Sequence, residues 1–168
     1  DKAGDCNKQV NIVEIKGDPA VAPAVERSEG FHEAIAGSAI KSIAEQHADW
    51  DEEKALKFME DTLQRFGPGE IQAVYAHNDN MAFGALKAIK AAGRDKEGIL
   101  IIGIDGENRA IRAVAKGDFA ATFTYSTVAP EGVIAAHALV TGDTAALDKL
   151  GKMTKHPDGT MEIEIPSN

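Results

Sequence analysis

Twice in succession an apolar run stops at an amide or a carboxylate just where helical periodicity begins: Ala73-Val-Tyr-Ala-His-Asn78-Asp79, then Ile99-Leu-Ile-Ile-Gly-Ile-Asp105-Gly106. Short runs of near-continuous Val, Ile and Ala suit strands covered on both faces, and the amphipathic segments between them supply the cover. The alternation extends through most of the chain. Strands are expected at residues 10–15, 40–44, 73–76, 99–104 and 119–125. The first is followed by a helical stretch carrying Val25, Phe31, Ala34 and Ile35, and the second by a helix with Leu56, Met59, Leu63 and Phe66 on one stripe. Further helices are expected at 79–92, 108–115 and 130–141. Gly17-Asp18-Pro19, Gly37-Ser38 and Gly67-Pro68-Gly69 punctuate the units, and Gly93 and Gly117 read as helix C-terminal caps. The fold class is therefore α/β: a doubly wound, mostly parallel sheet with helices on both faces and right-handed crossovers. The polar stretch 143–155, the turn His156-Pro-Asp-Gly159 and the alternating Met161-Glu-Ile-Glu-Ile165 add an expected half-exposed edge strand.

A length of 168 residues suits one compact unit with a real core. With 27 acidic against 18 basic residues and a formal net charge of −9, the chain repels polyphosphates, which disfavours nucleic acid as a partner. No apolar run approaches the length of a membrane span, and the first residues lack a basic flank leading into a hydrophobic region, so the chain reads as soluble, without an export signal in its first residues. The single cysteine, Cys6, permits no internal disulfide.

In an open parallel sheet, small ligands bind beyond the carboxyl ends of the strands. Five strand ends deliver polar groups to that edge: Asp18, Trp50, Asn78 with Asp79, Asp105, and Tyr125 with Ser126 and Thr127. Arg27, early in the first helix, adds a rigid fork of donors. Planar Asp, Asn and Arg groups can satisfy the vicinal hydroxyls of a sugar, and an indole can stack on its C–H face. Each residue also has a plain structural reading. Asp79 before a helix reads as its N-cap, Asp105-Gly106 as a turn pair, Trp50 as packing, Tyr125 as strand filling, and Arg27 as an exposed partner of Glu26, Glu29 or Glu33.

Motifs for catalysis are absent: the chain has no dinucleotide fingerprint, phosphate loop or nucleophile elbow. His32, His47, His77, His137 and His156 show no metal-ligand spacing and read as surface or packing residues, so neither metal nor cofactor is expected.

The segments Val10-Asn-Ile-Val-Glu-Ile15, Val25-Glu-Arg27-Ser-Glu-Gly30-Phe31, Ala48-Asp-Trp50, Tyr75-Ala-His-Asn78-Asp79-Asn-Met-Ala82, Gly103-Ile-Asp105-Gly106 and Gly117-Asp-Phe-Ala-Ala-Thr122 resemble the periplasmic sugar-binding proteins of ABC transporters, of the ribose and galactofuranose type. The resemblance implies a non-catalytic clamp of two lobes joined by a three-stranded hinge, closing on a monosaccharide or sugar alcohol and presenting the complex to a membrane permease. The chain is similar to the carboxyl-terminal lobe, so the amino-terminal lobe is expected to be missing; the uncovered sheet face is then a route to self-association. Carried over by position, Arg27 and Asn78 act as hydroxyl donors and acceptors, Asp105 as an acidic acceptor, and Trp50 as a platform that is often phenylalanine. Tyr125 stands where glutamine or asparagine is usual in the ribose type, which points to a different sugar or polyol; Asp18 and Thr127 are secondary candidates. A periplasmic location follows from the same resemblance. The rival readings are the effector-binding core of a LacI-type transcriptional repressor, although no helix-turn-helix segment precedes the core, and an enzyme on a doubly wound fold.

Overall fold

The computed structural model describes residues 9–125, 129–157 and 161–164. Its contacts divide the chain into two units, Asp1–Thr124 and Tyr125–Asn168. The first unit runs β1 (Val10–Lys16), α1 (Ala22–Ile35), β2 (Ile40–His47), α2 (Glu52–Arg65), β3 (Ala73–Ala76), α3 (Asp79–Ala91), β4 (Leu100–Ile104), α4 (Asn108–Lys116) and β5 (Ala121–Phe123). All five strands are parallel, in the order β2-β1-β3-β4-β5. The doubly wound α/β expectation is met. Since the chain steps from β1 to β2 one way and from β3 onward the other, right-handed crossovers put α1 on one face and α2, α3 and α4 on the other.

The two faces are built differently. Val13, Ile15, Val74, Ala76 and Ile101 pack with Phe58, Met59, Met81 and Ala85 of α2 and α3 into the apolar core. The helices cross closely at Gly84, where a Cβ would strike the Glu52 carbonyl. The α1 face is polar and aromatic. There Phe31 stacks near Tyr75, with ring centroids 5.1 Å apart, and Tyr75 lies 5.3 Å from His77.

Helix starts follow local hydrogen bonding. Asp51 accepts from the Lys54 amide at 2.8 Å and caps α2. Asn78 does the same for α3, accepting from the Met81 amide at 2.9 Å, so the cap expected of Asp79 belongs to its neighbour. Residue 78 is the one in extended backbone, with φ −149° and ψ 169°, and so the one whose side chain can fold back onto the first turn. Gly117, at φ 81°, closes α4 in the left-handed conformation expected of it. β5 is shorter than the expected 119–125; at its amino end the Phe119 amide still donates to the Ala113 carbonyl in the last turns of α4.

The second unit contains α5 (Ala129–Thr141), α6 (Thr144–Leu150), β6 (Lys152–Lys155) and β7 (Met161–Glu164). α6, capped by Asp143 accepting from the Ala146 amide, occupies part of the stretch read only as polar. β7 pairs antiparallel with β6 in a separate two-stranded sheet and is not an edge strand of the parallel sheet. Among the described residues, no helix is long and apolar enough to cross a membrane.

Candidate ligand site at the strand carboxyl edge

Strand order reverses between β1 and β3, and in such sheets a crevice opens at the carboxyl ends of the two strands flanking the reversal. Gly17 follows β1 there. A Cβ on it would collide with the six-membered ring of Trp50, so only glycine lets the indole lie against the backbone at this point. Trp50 arrives after β2 through two left-handed residues, Asp49 at φ 50° and itself at φ 64°. The Arg27 guanidinium sits over the indole, 5.5 Å from the ring centroid, and Nη1 donates to the His77 carbonyl at 2.5 Å. Arg27 is therefore turned inward to the sheet edge. Asn78 is 6% exposed, and beyond capping α3 its Nδ2 makes a long 3.4 Å bond to the Trp50 carbonyl. Arg27, Trp50 and Asn78 thus form one contiguous group.

Asp105 follows β4 on the neighbouring strand at the same edge, with φ 123° and its amide donating to Phe123 at 2.8 Å. The non-glycine residues with positive φ among those described are Asp49, Trp50 and Asp105, all at this edge. Such conformations persist only where surrounding structure imposes them, and they cluster at ligand sites. Asp18 lies beyond β1, its carboxylate accepting from the Ala20 amide at 2.8 Å in a local turn. Tyr125 opens the second unit, 55% exposed, and Thr127 and Ser126 lie outside the described residues. A concavity lined by Leu86, Gly98, Asp118 and Phe119 lies at the opposite, amino-terminal edge of the sheet, away from these groups.

Two buried residues anchor the site. His77 is fully buried; its Nδ1 accepts from the Gly17 amide at 3.3 Å, which places the ring proton on Nε2, facing Glu14 Oε1 at 3.0 Å. It is neither a surface residue nor plain filling, since its ring holds the β1 end and its carbonyl holds Arg27. The signal for it was Glu14, a lone carboxylate inside a β-branched run. Burial opposes ionisation of Glu14, but hydrogen bonds from His77 and Ser28 outweigh it and hold the carboxyl below its ordinary range. Asp79 does not pair with His77. Its two oxygens accept from Thr122 Oγ1 at 2.7 Å and from the Glu107 amide at 2.9 Å, tying α3 to β5 and to the turn after β4; burial nevertheless pushes its carboxyl upward.

The chain matches the periplasmic binding protein domain over residues 3–143. It is 42% identical over 122 residues to the ribose import binding protein of Bacillus subtilis (strain 168), covering 73% of this chain and 37% of that protein. It is 33% identical over 158 residues to a xylitol-binding protein of Mycolicibacterium smegmatis, covering 92% and 44%. Among solved structures it superposes on the periplasmic binding protein component of an arabinose ABC transporter from Shewanella sp. ANA-3, bound to L-arabinofuranose, with TM-score 0.73 and 32% identity, covering 80% of this chain and 45% of the other. The chain spans less than half the length of these relatives. It belongs to the periplasmic binding protein family.

Proposed function

We propose that the chain is the carboxyl-terminal lobe of a non-catalytic, periplasmic sugar-binding component of an ABC import system. A monosaccharide or sugar alcohol is held at the carboxyl edge of β1 to β4 and handed to a membrane permease. The observation that carries this reading is the Arg27 fork stacked over Trp50 at the point where strand order reverses. The indole offers an apolar platform, Arg27 donors and Asp105 an acceptor, and Asn78 contributes an amide whose oxygen is spent on the helix cap. Asp18 extends the set. The arabinofuranose- and xylitol-binding relatives support a pentose or polyol. In a clamp of this kind the ligand favours closure because it meets the second wall only in the closed state. Self-association through the parallel sheet's face bearing exposed Leu100 and Phe123 accompanies the reading; a strictly monomeric sedimentation profile at high concentration would count against it.

Calorimetry with ribose, arabinose and xylitol tests the site. Arg27→Ala and Trp50→Ala are each expected to weaken binding roughly 5- to 150-fold, the cost of leaving about 1–3 kcal/mol of polar or stacking partners unmatched. Unchanged affinity in both variants would refute the assignment.

A further inference from the structure

On the α1 face, away from the crevice rim, two carboxylates converge on one imidazole. Glu14 of β1 and Glu45 of the edge strand β2 are register partners, so their side chains project side by side from the same face. His32, in the last turn of α1, lies above them with Nε2 2.9 Å from Glu14 Oε2 and 3.3 Å from Glu45 Oε2. All three ligand atoms fall within 4.8 Å of one another. The His32 ring can donate fully to only one of these acceptors, with Ser28 also donating to Glu14 and Lys16 pairing with Glu45, whereas a cation among the three would be ligated by all of them at once. In a tetrahedron with bonds of about 2.0–2.1 Å, ligand atoms stand roughly 3.3 Å apart, close to the two separations between His32 and the carboxylates.

The group is also held from behind. His77 Nε2 donates to Glu14 Oε1 at 3.0 Å, both side chains fully buried, so the second oxygen of Glu14 is fixed facing His32. Ligands of metal ions are commonly oriented in this way by a hydrogen-bonded partner outside the coordination sphere. Phe31 packs edge-on against the His32 ring at 5.2 Å and steadies its orientation. Side-chain exposures of 43% for His32 and 47% for Glu45 leave the group open to solvent on its outer side. Lys16, whose ammonium is 3.3 Å from the same Glu45 oxygen, is the cation that an incoming metal displaces.

We propose that Glu14, His32 and Glu45 form a binding site for a divalent transition-metal ion, zinc above all, with one nitrogen and two carboxylate oxygens as ligands and a further position for water. The site is separate from the sugar reading and stands or falls without it. The test is titration of the metal-stripped 168-residue chain with Zn²⁺ by calorimetry and with Co²⁺ by visible absorption. One equivalent of Zn²⁺ is expected to bind, with the absorption of four-coordinate Co²⁺ as the geometric signature. His32→Gln and Glu45→Gln, both at half-exposed positions, should each weaken Zn²⁺ binding at least tenfold and abolish that absorption, with far-ultraviolet circular dichroism unchanged. His137→Gln, in α5, should leave both unaltered. Absence of Zn²⁺ binding at 100 µM, or binding that both His32→Gln and Glu45→Gln leave intact, would overturn the proposal.

Discussion

Asp79 shows how a single side chain can hold a fold together at a cost that depends on pH. Its carboxyl is fully buried and accepts from Thr122 and from the Glu107 amide, yet burial is the largest influence and raises its pKa above the ordinary 3.8. Between the unfolded value and the raised native one, the native state holds the proton more often, so this group's contribution to stability falls as pH rises through that window. Unfolding free energies of the wild type and Asp79→Asn measured from pH 3 to 7 should show the wild type's advantage shrinking with rising pH and then levelling. An advantage that grows with pH would mean that the hydrogen bonds outweigh burial. At this scale the sequence was partly legible. Asn78 and Asp79 both have cap chemistry, and only the backbone dihedrals decide which one turns back. The bond between His77 and Glu14 joins residues 63 positions apart; a carboxylate inside a β-branched run marks Glu14 as needing a partner, but no local pattern names His77 as that partner.

Two glycines in helices separate packing from propensity at the scale of elements. Gly84 of α3 faces the backbone of α2, whereas Gly30 of α1 has nothing within 4 Å of where its Cβ would lie. Helix propensity alone favours alanine at both positions by up to about 1 kcal/mol. Overpacking at Gly84 should exceed that gain, so Gly84→Ala is expected to destabilise by about 1–2 kcal/mol while Gly30→Ala stabilises by about 0.5–1 kcal/mol. Urea denaturation midpoints measure both, and a stabilised Gly84→Ala would show that the α2–α3 contact is looser than described. The helices and parallel strands were readable because Val, Ile and Ala runs alternate with apolar stripes, and the helical stretches end at Gly37, Gly67, Gly93 and Gly117. α6 escaped notice because it is only seven residues long and rests on the Asp143 cap. The partner of β7 escaped because an alternating strand states which way its side chains point but not which strand it joins.

Across the parallel sheet, backbone strain, the strand-order reversal and the Arg27–Trp50 pair fall at one edge, although Asp49 and Trp50 come from one loop and Asp105 from another. The choice of edge was legible from polar residues at successive strand ends. The side chains' grouping was not, because it depends on Gly17 yielding space to the indole and on His77 presenting its carbonyl to Arg27. Family membership extends the comparison to proteins about twice as long, whose sugars lie between two walls in the proposed reading, so one lobe alone should bind weakly; submicromolar one-to-one affinity for any monosaccharide would contradict that. The most direct measurement of the central claim is nuclear magnetic resonance of the isotope-labelled chain titrated with ribose, L-arabinose and xylitol. Saturable shifts confined to the Trp50 indole N–H, the Asn78 side-chain amide, the Arg27 guanidinium and the Gly106 amide are predicted, with Gly69 and Gly98 at the far edge unmoved. Shifts centred on Gly69 and Gly98, or none at saturating sugar, would contradict it.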